Sequence, residues 1–153
     1  MARARYSKQA PADPFGAFNF RLELGGTVEA GFTECSGLDS QTEIIPYRNG
    51  DDEMTVRKIP GLRSFSNLVL RRGMTASLTL WEWRMKIMTG NLDRRDISVV
   101  IYDDSNTKEI ARFNLRNAWP CKWVGPAFNA QENGLAVETL ELAHEGIDDF
   151  VTK

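Results

Sequence analysis

The sequence predicts a mainly β domain with a single flanking helix, and three observations carry that expectation. Residues 17 to 24 alternate, with Phe18, Phe20, Leu22 and Leu24 on one side and Asn19, Arg21 and Glu23 on the other. Period two with apolar residues on one face is the mark of a half-buried strand. Further short apolar runs, separated by glycine, proline and Asp/Asn-rich steps, recur as far as residue 142. Helical spacing is convincing only over residues 77 to 89.

Taken in order, residues 1 to 14 are polar and basic, with Pro11 and Pro14, and read as a mobile arm ahead of one domain over residues 15 to 150. Gly25 and Gly26 make a turn, after which residues 28 to 35 can return antiparallel to the first strand. Gly37 punctuates again before a third run, residues 41 to 48. Pro46 lies inside that run and lacks a ladder donor, which places it at a sheet edge, a bulge or a strand end. Periodicity is lost from residue 49 to 66, where Asp51, Asp52 and Glu53 are followed by Arg57 and Lys58 and by the turn pair Pro60-Gly61. This stretch is expected to be a long loop, either a solvated excursion or a functional segment.

Residues 68 to 74 predict a strand leading into the helix. Thr79 and Glu82 have the spacing of a capping box, Thr75 is an alternative start, and Gly90 falls where a C-terminal cap belongs. Trp81, Met85 and Met88 form an apolar stripe expected to pack on the core. Ile97, Val99 and Ile101 begin a strand that ends at the polar turn Asp103-Asp104-Ser105-Asn106. Two shorter strands are expected at residues 110 to 115 and 118 to 124, the second holding Trp119 and Trp123. After Gly125-Pro126, residues 135 to 142 form the last strand, with Val137, Thr139 and Glu141 on one face and Ala136, Glu138, Leu140 and Leu142 on the other.

Composition limits the possible functions. The 153 residues suit one ordinary core, and 42% hydrophobic with 26% charged content is typical of a folded domain. The net charge of −2, from 19 basic and 21 acidic side chains, lacks the basic excess of a nucleic-acid-binding domain. No apolar run approaches the roughly 20 residues of a spanning helix, and no apolar h-region follows Arg3, Arg5 and Lys8, so neither an anchor nor a Sec-type signal peptide is expected. Cys35 and Cys121 are too few for a disulfide framework and form no Cys-x-x-Cys pair. They are expected to be free thiols in a chain made in a reducing cytoplasm.

The residues of catalysis are scarce. His144 is the one histidine, so no His-x-x-x-His metal pair exists, and a strand-end structural role is expected for it. The acidic pairs Asp51-Asp52, Asp103-Asp104 and Asp148-Asp149 lack the alternating oxygen ligands of a calcium loop. The middle pair reads as turn chemistry, because Asp and Ser bond their own backbone. No phosphate loop, nucleophile elbow or dinucleotide fingerprint is present, and no cofactor is expected. Four tryptophans leave open a small monomeric β-barrel with an apolar ligand.

One ordered set of motifs points to a different leading reading. Asp13-Pro14-Phe15 is followed by Phe32 to Leu38 (FTECSGL), Tyr47-Arg48-Asn49-Gly50, Lys58-Ile59-Pro60-Gly61-Leu62, Arg71 to Thr75 (RRGMT) and Leu80-Trp81-Glu82-Trp83. Asn117-Ala118-Trp119-Pro120, Gly125 to Ala130 (GPAFNA) and Glu138 to Gly146 (ETLELAHEG) complete it. Over residues 13 to 147 this order resembles the tube proteins of contractile phage tails and related injection systems. Pro46 departs from the uninterrupted strand that family usually has there.

The resemblance implies two packed antiparallel sheets, sandwich- or barrel-like, with one flanking helix. It implies hexameric rings, stacked head to tail into a hollow inner tube that a sheath drives through a target envelope. Implied partners are other copies of the chain, the sheath, baseplate or spike and cap proteins, and a cargo of DNA or protein effectors, with no membrane anchor. Within that reading, Arg3, Arg5, Asp51, Asp52, Glu53, Arg57, Lys58 and Arg63 are candidate contacts between subunits or rings, and Asn19, Arg21 and Glu23 candidate lumen residues. Within that reading a phage tail passing DNA and an injection system passing protein both stay open, with the resemblance leaning toward the latter, and the phage-like motifs count against a secreted ring similar to type VI secretion tubes.

Overall fold

A computed structural model of the chain describes residues 19–29, 32–51, 54–131 and 134–152. Arg3, Arg5, Asp52 and Glu53 lie outside the described residues. Among those described, the chain forms β1 (Phe20–Leu24), β2 (Thr27–Glu29), β3 (Phe32–Ser36), β4 (Gln41–Tyr47), β5 (Arg57–Ser64) and β6 (Leu68–Gly73). The helix α1 (Thr79–Met88) follows, then β7 (Arg95–Tyr102), β8 (Glu109–Val124), β9 (Val137–Ala143) and β10 (Gly146–Thr152).

The organising element is β8, a single strand of 16 residues where two shorter ones were expected. Its first half pairs with β7 and β10, and its second half with β9. Two antiparallel sheets therefore share one strand. Along the path β2-β1-β7-β8-β9-β6-β3 each strand is hydrogen-bonded to its neighbour. The bend between the halves sits at a bulge. Arg95 of β7 faces Ala118 while Ile97 faces Leu115, leaving one extra residue on β8. Asn117 lies in that step with φ of 50°, a left-handed conformation that asparagine tolerates better than most residues. Its backbone N–H donates to Asp96 Oδ1 (3.1 Å) and its side-chain amide to Glu145 Oε2 (2.7 Å), so the bend is held from both sides.

The two sheets close over one apolar core. Leu22, Leu24, Ile97, Val99 and Leu115 come from one side, and Phe32, Leu68, Leu70, Leu140 and Leu142 from the other. The alternation expected for the first and ninth strands is observed, with Leu22, Leu24, Glu138, Leu140 and Leu142 buried. At the rim β3 faces β1 and β7 across a cleft of about 270 Å³ lined by Phe20, Cys35, Leu38, Val99 and Ile101. Burial pushes the Cys35 thiol up to about 11 and raises that of Cys121, so both thiols stay protonated at neutral pH. β10 is a strand the sequence did not signal. It runs on from β9 along the same side of β8, with Ala143 opposite Trp119 and Gly146 opposite Arg116.

The helix corrects two expectations. Thr79 is its first residue, and the N-cap Leu78 makes no side-chain cap, so Thr79 and Glu82 do not form a capping box. The C-terminal end behaves as expected. Gly90 (φ 91°) donates to the Ile87 carbonyl and Asn91 to that of Lys86, a complete Schellman closure. Leu80 and Trp83 face the core, while Trp81, Met85 and Met88 are exposed. Two apolar stripes sit about 100° apart on this helix, and only one can point inward. Trp83 is fixed there by its Nε1–H, which donates to the Asp93 carbonyl at 2.7 Å.

One ion pair is carried into the interior. Arg72 of β6 is 3% exposed and Glu138 of β9 is 8% exposed, and their strands place them directly opposite. Arg72 Nε donates to Glu138 Oε1 at 2.5 Å, and Trp123 Nε1 donates to Oε2 at 3.1 Å. With both carboxylate oxygens occupied, the pair is stable as a unit and costly to split. Replacing Glu138 with Ala should therefore lower unfolding free energy by about 3–5 kcal/mol, read from the shift of a urea midpoint at unchanged slope.

A candidate assembly surface

The segment expected to be a long loop is half strand. β5 pairs antiparallel with β4 from Gln41 opposite Ser64 to Tyr47 opposite Arg57, and the two form a separate two-stranded sheet. The missing periodicity has a physical cause. A strand with no core beneath it has no buried face to impose alternation. Every residue of β4 is exposed, and in β5 only Gly61 is partly covered. Pro46 is accommodated because β4 has an open edge, where no ladder partner needs its N–H. Arg57, Lys58 and Arg63 lie on β5 and Asp51 near its turn, so the described candidate contact residues gather on this arm. Arg63 also lines a polar cleft of about 430 Å³ with Arg116, Glu145 and Asp148 at the arm's base.

The base is held by several independent contacts. Gly37 takes φ of 93°, and a Cβ there would lie 2.1 Å from the Asn67 carbonyl oxygen, so only glycine fits. Ser66 N–H donates to Asp39 Oδ1 (3.1 Å), and the Asn67 amide donates to Glu141 Oε1 (2.8 Å). His144, in the step between β9 and β10, has Nε2 3.0 Å from the Ser66 carbonyl oxygen, with the Phe65 ring 5.8 Å away. Its Nδ1 is buried and meets no partner among the described residues. This is the strand-end structural role expected for that histidine.

Other surfaces are equally uncovered. Among the described residues, β2 pairs only with β1, β3 only with β6 and β10 only with β8. The helix exposes Leu78, Trp81, Met85 and Met88. Trp81 meets Trp123 edge to face at 4.7 Å beside a cavity of about 220 Å³, whereas Trp83 is wholly buried, so the tryptophans do not gather around one pocket.

The face of the first sheet turned away from the core is polar and already cross-linked. Glu23 accepts from Arg112 at 3.0 Å, and Arg112 Nε donates to Glu109 at 2.7 Å. Those carboxylates, Glu109 first, hold the guanidinium well above its ordinary value. Arg21 lies 4.4 Å over the Tyr102 ring, and the Asn19 amide donates to the Asp103 carbonyl at 2.9 Å. Across the next strands Ser98 donates to Asn114 (2.6 Å) and Asn114 to Asp149 (2.6 Å), while Arg116 pairs with Asp148 (3.0 Å). The turn at Asp103 matches its expected chemistry. Its carboxylate accepts the Lys108 and Thr107 N–H groups, which hold it below the usual range. No group of three or more His, Cys, Asp or Glu able to hold a metal occurs among the described residues.

Residues 16–148 match the family of the T4-like virus tail tube protein gp19. The fold is also similar to chains in three solved assemblies. One is the PVC sheath-tube complex of an extracellular contractile injection system in its extended state, 26% identical over 92% of this chain and 93% of that one, with a TM-score of 0.81. Another is the anti-feeding prophage tube-terminating cap, 27% identical over 99% and 100%, with a TM-score of 0.85. A third is the PVC sheath/tube terminator, 27% identical over 94% and 99%, with a TM-score of 0.79. Hcp1 from Flavobacterium johnsoniae shares the fold at 16% identity over 89% of this chain and 100% of that one, with a TM-score of 0.53. No curated protein sequence matches.

The pinned base of the arm gives a direct expectation. Gly37→Ala should cost about 1–3 kcal/mol through its left-handed backbone and the clash with Asn67. Amide hydrogen exchange over residues 41 to 64 should quicken more than exchange in β7 or β8.

Proposed function

The chain belongs to the tail tube protein family of phage tails and contractile injection systems, and from that premise we propose that it is the repeating subunit of an inner tube. In this reading subunits close into hexameric rings, and rings stack head to tail around a continuous lumen. The observation that carries it is the amount of uncovered strand: an arm exposed on both faces, and the open edges of β2, β3 and β10. Exposed edges invite unwanted pairing unless something covers them. Pairing each edge with the next copy satisfies the ladder, and a head-to-tail contact closes into a ring when its rotation divides a full turn.

The role is structural rather than catalytic. The similar injection-system chains come from a sheath-tube complex, a tube-terminating cap and a sheath/tube terminator, which supports a sheath, a cap and a baseplate as partners of this chain. The polar face carrying Asn19, Arg21 and Glu23 is assigned to the lumen. Its charges are engaged with one another, so the wall offers a passing protein effector or DNA few fixed charges and no large apolar patch. Stacking is assigned to the arm and the basic N-terminal residues, with Arg3, Arg5, Lys58 and Arg63 meeting acidic groups such as Asp51, Asp52, Asp148 or Asp149 of the adjacent ring. The particle assembles in the cytoplasm of the producing cell. No helix among the described residues is long and apolar enough to cross a membrane.

Negative-stain electron microscopy of the purified protein over a concentration series tests this. Hollow tubes or six-fold rings are expected, and monomers at every concentration would argue for a ligand-binding barrel instead. Deleting residues 1 to 12 should shorten tubes while leaving rings; unchanged tube length would remove the N-terminal residues from the stacking contact.

A further inference from the structure

Two β-bulges flank the same row of the first sheet. In that row Leu24, Ile97, Leu115 and Ile147 stand opposite one another across β1, β7, β8 and β10. Toward β7 the extra residue is on β8, in the step that holds Asn117. Toward β10 the extra residue is Asp148, because Ile147 faces Leu115 while Asp149 already faces Asn114. A bulge bends its strand and raises the local twist, and bulges at chosen positions are a means of curving a sheet.

Both extra residues are tied down by one network. Asn117 donates its N–H to Asp96 Oδ1 and its amide to Glu145 Oε2, and the Asp96 carbonyl accepts the Gly25 N–H at 3.2 Å. Glu145 also pairs with Arg94 at 3.3 Å. Arg116 holds Asp148 (3.0 Å) and the Glu145 carbonyl (3.2 Å), and its own carbonyl accepts the Glu145 N–H (3.1 Å). Its guanidinium lies across Gly146, where a Cβ would come within 3.1 Å of it. The turn after β1, the start of β7, the bend of β8 and the start of β10 are thus clamped at one end of the sheet. An exposed ion pair alone is worth little, but several that share partners fix one relative arrangement of the strands.

We propose that this clamp sets the number of copies that close a ring. The inference rests on the tube reading and deepens it. Among the described residues the first sheet ends in open edges at β2 and β10. When copies join edge to edge, the curvature of that sheet is the angle each copy contributes to the circumference. A head-to-tail contact closes only at a rotation that divides a full turn, and strand number, tilt and diameter of a closed sheet are linked. A small change in curvature, repeated in every copy, therefore favours a different count or an open arc. The two bulges supply the curvature and the clamp holds it at one value, which makes Asp96, Arg116, Asn117 and Glu145 positioning residues for closure. Asp96 and Glu145 are exposed, so removing either side chain leaves the core intact.

Top-view class averages of negatively stained rings, collected for variants of the full chain, test this. Asp96→Ala and Glu145→Ala should each lose the single symmetry of the wild type and give rings of mixed subunit number together with open arcs. Asp96→Asn keeps an oxygen for the Asn117 N–H and should retain the wild-type symmetry. Asn19→Ala removes a contact at the opposite end of the same sheet, the amide bond to the Asp103 carbonyl (2.9 Å), and should leave the symmetry unchanged. A cooperative thermal melt of each variant separates altered closure from unfolding. Wild-type symmetry in both alanine variants of the clamp, or the same mixture from Asn19→Ala, would overturn the clamp as the determinant of ring size. A wild-type chain that makes no rings would contradict the tube reading, and this proposal with it.

Discussion

Backbone N–H and C=O groups on a strand edge must find partners, and the described residues of this chain make more strand than they pair and cover among themselves. The core holds the long path of strands from β2 to β3 together. It leaves β4–β5 outside, with no hydrophobic layer beneath either side among the described residues. The chain nevertheless fixes where this uncovered element leaves the body. Gly37, Asp39, Asn67 and His144 belong to different parts of the sequence, yet all act on the two short segments that join the arm to the body. Four contacts at one base suit an arm aimed in a set direction.

That direction has meaning only if the body is rigid, and β8 provides the rigidity. One strand runs through both sheets, so a movement of one sheet is transmitted through covalent backbone to the other. The Asn117 bulge sets the angle between the halves, and the Arg72–Glu138–Trp123 group closes the far side of the core beside α1. In the proposed tube identical subunits repeat, and a small error in each would accumulate from ring to ring. A body held by one through-going strand and a buried ion pair meets that requirement.

Much of this was legible in the residues. Phe20 to Leu24 and Val137 to Leu142 each bury one face, and a buried face writes alternation into the sequence. Gly90 and the Asp103 turn were legible because each position demands particular backbone chemistry. β5 and β10 were not, for a common reason: strands that are mostly exposed need no strict period. The helix face was misassigned because Leu80 and Trp83 compete with Trp81 and Met85, and only tertiary contact selects between them. Residues 110 to 124 were divided in two because a bulge residue such as Asn117 resembles a turn when read alone. The assembly role was visible as an ordered series of motifs, while its physical basis, the two-faced arm, required the structure.

The most direct measurement is hydrogen–deuterium exchange on dilute and assembled protein under the same buffer. An account in which other copies complete the fold predicts fast exchange in the arm and in the open edges of β3 and β10 when dilute. Those same amides should become protected on assembly, while β7 and β8 stay slow in both states. Edges and arm that are already protected in the dilute monomer, or that remain unprotected in the assembled protein, would contradict it.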